Sequence, residues 1–460
     1  MKLTAGEAAD AMRGELVAGS PDSAIEGVSI DSRTLAPGAW FFAIRGPRYD
    51  GHAFVESALG RGARGVVVSE PVDVASPLVC IRVEDTSVAL QELAREVRER
   101  AAVLVVAVTG SMGKTTTKEA TATAIGSSYR VLKSEGNLNN LYGLPLSLLR
   151  LDGEEVAVVE MGMSAPGEIA RLVEIAKPDV GVLTNVGEVN LEFFPSVRAI
   201  ADAKGELLVG LAERAVAVVN ADDPLVLEQA RKFSGRTIRF GLGPGAELRA
   251  REIRPSSDGV RFLAEEGERS VEVRSPLRGR HNVYNVLAGL AAARALDVPL
   301  ERAVTGLRNL APASHRGERL RLADGVLAID ETYNSSPDAL RCALDALEDE
   351  SAGRRIAVVG DMLELGPMAE TRHREIGEEM ARRDIALLVG VGSLGSLIVD
   401  AAREAGMDDS RLATCADVGS AGPLLVEHVR EGDTILFKAS RGVQLEKAIE
   451  SLKRALGEEP

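Results

Sequence analysis

No segment of this 460-residue chain approaches the roughly 20 uninterrupted apolar residues of a membrane span, so stable membrane insertion is not expected. Cysteine is rare. Cys80, Cys342 and Cys415 form neither a CxxC pair nor an even-numbered framework, which removes a disulfide scaffold and fits a reducing compartment. Positive charge is in deficit: 54 lysines and arginines face 69 acids, and the net charge of −15 argues against broad nucleic-acid binding. Low-complexity stretches and fixed-period repeats are missing. Aromatics make up only 3%, and the single tryptophan, Trp40, is expected in the core. The opening Met1 to Glu7 acquires acid at once and has no apolar core of a signal peptide, so a cytoplasmic location is expected.

What is present is ordinary for a soluble globular protein, 45% hydrophobic and 27% charged. The length exceeds one hydrophobic core, so two or three domains are expected. Apolar runs closed by glycine or a polar residue recur at Val103 to Thr109, Val156 to Glu160, Val180 to Thr184, Ala215 to Asn220, Ile356 to Gly360, Ile385 to Gly390 and Thr434 to Phe437. Helix-period segments separate them, which predicts an α/β fold whose parallel sheets are covered on both faces. A charged helix from Ser87 to Arg100 precedes a fresh strand, and Leu310-Ala311-Pro312-Ala313 interrupts a second helical region. The divisions read 1–100, 101–312 and 313–460.

The strongest chemical signal follows Val103 to Thr109. The chain continues Gly110-Ser111-Met112-Gly113-Lys114-Thr115-Thr116 and then reads as helix. Glycines let backbone wrap phosphate, a helix N-terminus supplies oriented N–H groups, Lys114 brings positive charge, and the Thr115 hydroxyl can ligate magnesium. Val108 stands where the usual pattern has its first glycine, so the loop reads TGxxGKT.

Other residues are weaker alone. Glu160 ends a strand where a carboxylate can hold magnesium or simply be solvated. Lys204 reads by composition as an ordinary surface lysine. His281, Asn282 and Asn285 share one side of a helix, where amides can read an adenine edge or serve as surface polarity. Arg316 follows the second division, and Asp330 ends a strand at Val326 to Ile329. An arginine there can neutralise phosphate and the aspartate can bind ribose hydroxyls, or the two can form surface pairs. Ser29, Asp31, Ser32, Arg33, Arg45 and Gly46 have the polar and basic content for a uridine diphosphate, and equally that of turns.

The phrase TGSMGKTTTKE at 109–119 resembles the Mur ligases, a family with relatives that add glutamate to folates. The resemblance spans essentially the whole chain. It includes DSRTLAPGAWFFAIRGPRYDGHAF at 31–54, GNLNNLYGLPLSLL at 136–149, HNVYN at 281–285, IDETYNSSPDAL at 329–340, GDMLELG at 360–366 and KASRGVQLE at 438–446. Within the family these phrases resemble the member that adds a terminal dipeptide.

The resemblance implies three domains: a central P-loop ATPase domain with a parallel sheet, an N-terminal α/β domain for the UDP-linked substrate, and a C-terminal Rossmann-like domain. The implied reaction is ATP-dependent ligation of D-alanyl-D-alanine to UDP-N-acetylmuramoyl-tripeptide through an acyl phosphate, by a monomer, with ATP and two magnesium ions. It implies that Thr109 to Thr116, Asn282, Asn285, Arg316 and Asp330 meet ATP, with Lys114, Glu160, Lys204 and Arg316 as catalytic groups. Thr115, Glu160, Lys204 and Asn190 become metal ligands, Lys204 as a carbamate. Asn139, Asn140, Tyr333, Asn334, Lys438, Ser440 and Arg441 line the substrate side, and Ser29 to Arg33 with Arg45 and Gly46 take the UDP moiety. Two positions depart from the pattern. Asn190 stands where the family usually has a metal-binding histidine, and Leu141 where relatives carry an acidic or polar residue.

Overall fold

The computed structural model describes residues 3–46, 48–73, 78–256, 258–350 and 353–457. Met1 and Lys2 of the acidic opening lie outside the described residues. Three sheets succeed one another along the chain. A five-stranded sheet occupies 15–82, a nine-stranded sheet 104–275 and a six-stranded sheet 318–438. The divisions proposed at 100 and 312 fall in the two intervals between sheets.

The central sheet explains why its strands read as continuous apolar runs. Leu104–Thr109 sits between Val156–Glu160 and Val180–Leu183, all parallel. Side chains alternate across a strand, so Val105 and Ala107 join one apolar cluster while Val106 and Val108 join another on the opposite face. Both faces are therefore buried, as a sheet with helices on each side requires. On one face, helix Arg280–Ala295 lies against helix Lys114–Ile125. A Cβ at Gly289 would stand 2.8 Å from the Thr121 backbone nitrogen, so glycine permits this close approach.

The other face is covered partly from the N-terminal region. Helix Thr86–Arg100 begins at Asp85, whose carboxylate accepts from the Ser87 and Val88 N–H groups. Its Leu90, Leu93 and Val97 share one cluster with Leu144, Leu148 and Leu172 of the central region. Arg98 adds polar anchorage, donating to the carbonyls of Ala176 and Lys177 and to Asp179. Trp40 is fully buried in the first sheet, as its sequence predicts.

Each sheet departs from the expectation of parallel strands at one edge, and in the first sheet Glu15–Ala18 pairs antiparallel with Val79–Arg82. Leu248–Ser256, Gly259–Glu266 and Arg269–Ser275 form an antiparallel meander at one edge of the central sheet. Its inward residues Ala250, Phe262, Ala264 and Val273 alternate with exposed charges such as Glu252 and Arg274, so one face meets water. The third sheet runs parallel except for Glu318–Arg321, which pairs antiparallel with Leu327–Glu331.

Candidate active site

Loops after the central strands meet the C-terminal region around a cleft of about 530 Å³, a size suited to a nucleotide. Ser111 to Thr116, Glu160, Thr184 and Asn185 form its phosphate-loop end. Phe240, Tyr284, His281, Asn282 and Asn285 stand on the central side, and Arg316, Glu331, Tyr333, Asn334 and Lys438 come from the C-terminal sheet.

The phosphate loop is held by its neighbour. The Ser111 N–H donates to Asn185 O at 2.9 Å, Met112 N–H to Asn185 Oδ1 at 2.8 Å, and Gly187 N–H to Ser111 Oγ at 2.8 Å. Gly113 caps helix Lys114–Ile125 with φ of 76°, and a Cβ there would lie 2.2 Å from Asn285 Oδ1. Only glycine satisfies both demands. Helix N–H groups are thereby aimed into the cleft.

Lys114 donates to Gly110 O at 2.8 Å and Ser111 O at 3.3 Å. Burial depresses its pKa, with Glu160 opposing that shift and Arg316 adding to it. Lys204 is buried too, donating to the same Gly110 carbonyl at 3.1 Å. Burial, then repulsion from Lys114, holds its amine well below the ordinary lysine pKa, against the pull of Glu160. This buried Lys204 is no ordinary surface lysine.

Thr115 Oγ1 donates to Glu160 Oε2 at 2.8 Å, and Asn139 Nδ2 donates to Glu160 Oε1 at 2.9 Å. Two ligand oxygens 2.8 Å apart are close to one edge of a magnesium octahedron, about 3.0 Å for ligand distances of about 2.1 Å. These residues fit the ion. Asn139 thus bonds the carboxylate, while Asn140 accepts from the Tyr142 and Gly143 N–H groups at the start of helix Gly143–Leu148. Leu141 packs against the apolar cluster joining the first two regions. Asn190 has φ of 59° and donates its amide to Met163 O at 2.8 Å, so that Oδ1 is the side-chain atom it could offer to a cation.

Several residues sit differently from their expected roles. Thr109 is buried and donates to Met161 O at 2.8 Å, away from the cleft. Asn282 Nδ2 donates to Arg278 O, Asn285 Nδ2 to Asn282 Oδ1, and Thr117 Oγ1 to Asn285 Oδ1. The two amides line the cleft, yet these bonds tie helix Arg280–Ala295 to helix Lys114–Ile125 behind the phosphate loop. Asp330 is buried, bonded to His315 Nδ1 at 2.7 Å and to the Thr332 N–H and hydroxyl. It does not line the cleft. Its neighbour Glu331 does, because successive strand residues face opposite ways; that alternation was the available signal. Arg316 stacks over Tyr333 at 4.0 Å from the ring centroid.

Lys438 is buried and donates to Asn334 O at 3.1 Å, with Glu331 Oε2 at 3.4 Å. Ser440 is also buried, accepting from the Leu363 N–H at 2.9 Å and donating to Ser335 O, while Arg441 pairs with Glu446 at 2.7 Å. In the first sheet's region Ser29 bonds the Asp31 backbone, Arg33 grips Asp31 and lowers its pKa to about 2, and Arg45 pairs with Asp50 and Glu70. Ser32 is buried, and Gly46 N–H donates to Tyr49 O. This cluster lies outside the nucleotide-sized cleft.

A phosphate loop beside a strand-end carboxylate, faced by cationic side chains of a second α/β unit, defines a nucleotide-using enzyme of the P-loop class. The family model for the Mur ligase middle domain matches residues 108–293, the Mur ligase glutamate ligase domain matches 315–441, and the Mur ligase family catalytic domain matches 24–105. The chain is 36% identical to UDP-N-acetylmuramoyl-tripeptide--D-alanyl-D-alanine ligase of Bacillus subtilis, covering 93% of each. It is 34% identical to the Escherichia coli enzyme of the same name, covering 98% of this chain and 99% of that one. A MurF structure from Acinetobacter baumannii superposes with TM-score 0.90 at 32% identity, over 99% of both chains. MurF ligase from Thermotoga maritima in complex with ADP superposes with TM-score 0.82 at 31% identity, over 93% of this chain and 97% of that one. This chain belongs to the Mur ligase family. Among the described residues no helix is long and apolar enough to cross a membrane.

Replacing Gly113 with alanine forces the loop away from Asn285 and should weaken ADP binding at least tenfold by calorimetry. Unchanged affinity would show that the close approach is dispensable.

Proposed function

We infer that this chain ligates D-alanyl-D-alanine to UDP-N-acetylmuramoyl-tripeptide in the cytoplasm, using ATP, to complete the pentapeptide precursor of peptidoglycan. The observation that carries the reading is whole-length similarity to ligases of that name, joined to a cleft whose phosphate-loop end faces the C-terminal sheet.

A carboxylate and an amine do not condense readily in water. In the proposed sequence an oxygen of the tripeptide's terminal carboxylate attacks the γ-phosphorus and ADP leaves. The dipeptide amine then attacks the acyl carbon, loses a proton, and inorganic phosphate departs from the tetrahedral intermediate. Backbone N–H groups of residues 113–116 would cradle the phosphates, those of Ser111 and Met112 being held by Asn185. Lys114 would exchange its two carbonyl partners for the transferred phosphate, and Arg316 would add a second positive charge from the opposite wall. Thr115 and Glu160 would hold magnesium, which when bound neutralises charge developing on the phosphates. Closing the cleft brings these groups together and excludes water that would hydrolyse the acyl phosphate.

Lys204 is the candidate for modification. A neutral amine can attack carbon dioxide, forming an N–C bond and releasing one proton, and the resulting carbamate would offer oxygen to a second magnesium, with Asn190 Oδ1 as a further candidate ligand. Its burial and low amine pKa support this. On the nucleoside side, the role expected of Asp330 passes to Glu331, whose carboxylate borders the cleft and suits ribose hydroxyls. Lys438 and Asn334 stand beside it for the substrate side, with Ser440 and Arg441 beyond, and Ser29 to Arg33 with Arg45 and Gly46 remain the candidates for UDP.

Phosphate release should require the tripeptide and D-alanyl-D-alanine together; ATP binding without release under those conditions sinks the ligase reading. Activity should drop in carbon-dioxide-free buffer and return with bicarbonate, whereas indifference to both would remove the carbamate. Glu331→Gln should raise KM for ATP about tenfold, the loss of one good hydrogen bond, with little change for 2′-deoxy-ATP. If Asp330→Asn has that selective effect and Glu331→Gln does not, Asp330 is the ribose ligand.

A further inference from the structure

Lys118 lies one helical turn beyond the phosphate-loop lysine and is only 1% exposed. Removing an ammonium from water is costly, so its partners must be strong. Its Nζ donates to Ser134 O at 2.6 Å and lies 3.1 Å from Glu119 Oε1. Neither contact reaches the cleft, and none of the roles above uses this lysine.

Ser134 is the informative partner. It is 2% exposed and directly follows strand Val131–Lys133, a three-residue strand at the edge of the nine-stranded sheet. An edge strand this short has no outer neighbour to fix where its chain exits. Ser134 compensates with three bonds. Its N–H donates to Val158 O at 3.0 Å, its Oγ accepts from the Glu160 N–H at 3.2 Å, and its carbonyl accepts from Lys118. Five residues later Asn139 donates its amide to Glu160 Oε1, while its carbonyl accepts from the Gly162 N–H at 2.8 Å.

Glu160 is therefore fixed from three directions: at its backbone by Ser134, at Oε1 by Asn139 and at Oε2 by Thr115. Two of these come from the segment that Lys118 anchors. We propose that Lys118 is a positioning residue for the magnesium-binding carboxylate, acting through Ser134 to set how Glu160 and Asn139 meet Thr115. This rests on the reading that Thr115 and Glu160 hold magnesium with the nucleotide. Outer contacts that orient metal ligands typically change metal affinity or activity by 10–100-fold when removed.

The test uses the full chain and measures the magnesium concentration that half-saturates its effect on ADP binding, beside the unfolding temperature. Lys118→Met removes the donor. Ser134→Ala keeps both backbone bonds and removes only the acceptor for Glu160. Each should raise the half-saturating magnesium about tenfold or more, with Ser134→Ala leaving metal-free ADP affinity unchanged, and Lys118→Arg should show a smaller rise than Lys118→Met. Folded variants with wild-type magnesium dependence overturn the proposal, as does a loss of thermal stability with no change in that dependence. If Lys118→Met does not fold, Lys118→Arg carries the test of the lysine, and wild-type magnesium dependence in Ser134→Ala still overturns the route through Ser134. Wild-type ADP binding that ignores magnesium overturns the metal reading and this proposal together; dependence that both variants retain overturns the proposal only.

Discussion

The hydrogen bond between Thr115 and Glu160 is the contact on which the site depends, because it ties the helix that follows the phosphate loop to the end of the neighbouring parallel strand. Parallel strands place their C-terminal ends on one edge, so a loop after one and an acid ending the next meet without any long-range design. The remaining architecture serves to keep those ends still. Loop 184–187 braces the phosphate loop from one side, Asn285 presses on Gly113 from another, and Ser134 with Asn139 fixes Glu160 from behind.

Burial sets the electrostatics of this arrangement. Lys114 and Lys204 share the Gly110 carbonyl, and the cation of Lys114 disfavours a charge on Lys204, with Glu160 the nearby opposing charge. One buried amine, one partly buried amine and one carboxylate crowd the phosphate-loop end of the site. Lys114 and the helix N–H groups beside it suit a polyphosphate, and a lysine whose pKa is held down by burial is chemically unlike a solvated one.

The cleft also couples regions that sequence reading treats separately. Glu188, beside the phosphate-loop brace, pairs with Arg372 of the C-terminal region at 2.6 Å, and the Glu192 N–H donates to Glu364 O at 3.1 Å. The loop carrying Asn190 thus touches the phosphate loop on one side and the third sheet on the other. Movement of the C-terminal region would be felt at the candidate metal site through that loop.

By itself the sequence determined the α/β class, the strand carrying the phosphate loop, the order Gly110 to Thr116 and the strand-end position of Glu160, since these follow from local periodicity and turn chemistry. It also carried enough family phrases to point to the reaction. Tertiary structure decided which polar groups have capacity left over. Asp330 and Glu331 are adjacent, yet one is consumed by His315 and Thr332 while the other borders the cleft. Asn140 caps a helix, Asn139 holds a carboxylate, and Lys118, an unremarked lysine in a helix, turns out to be buried beneath the loop that carries Asn139. A residue's type fixes what bonds it can make; only the packing of distant segments fixes which of those bonds are already taken.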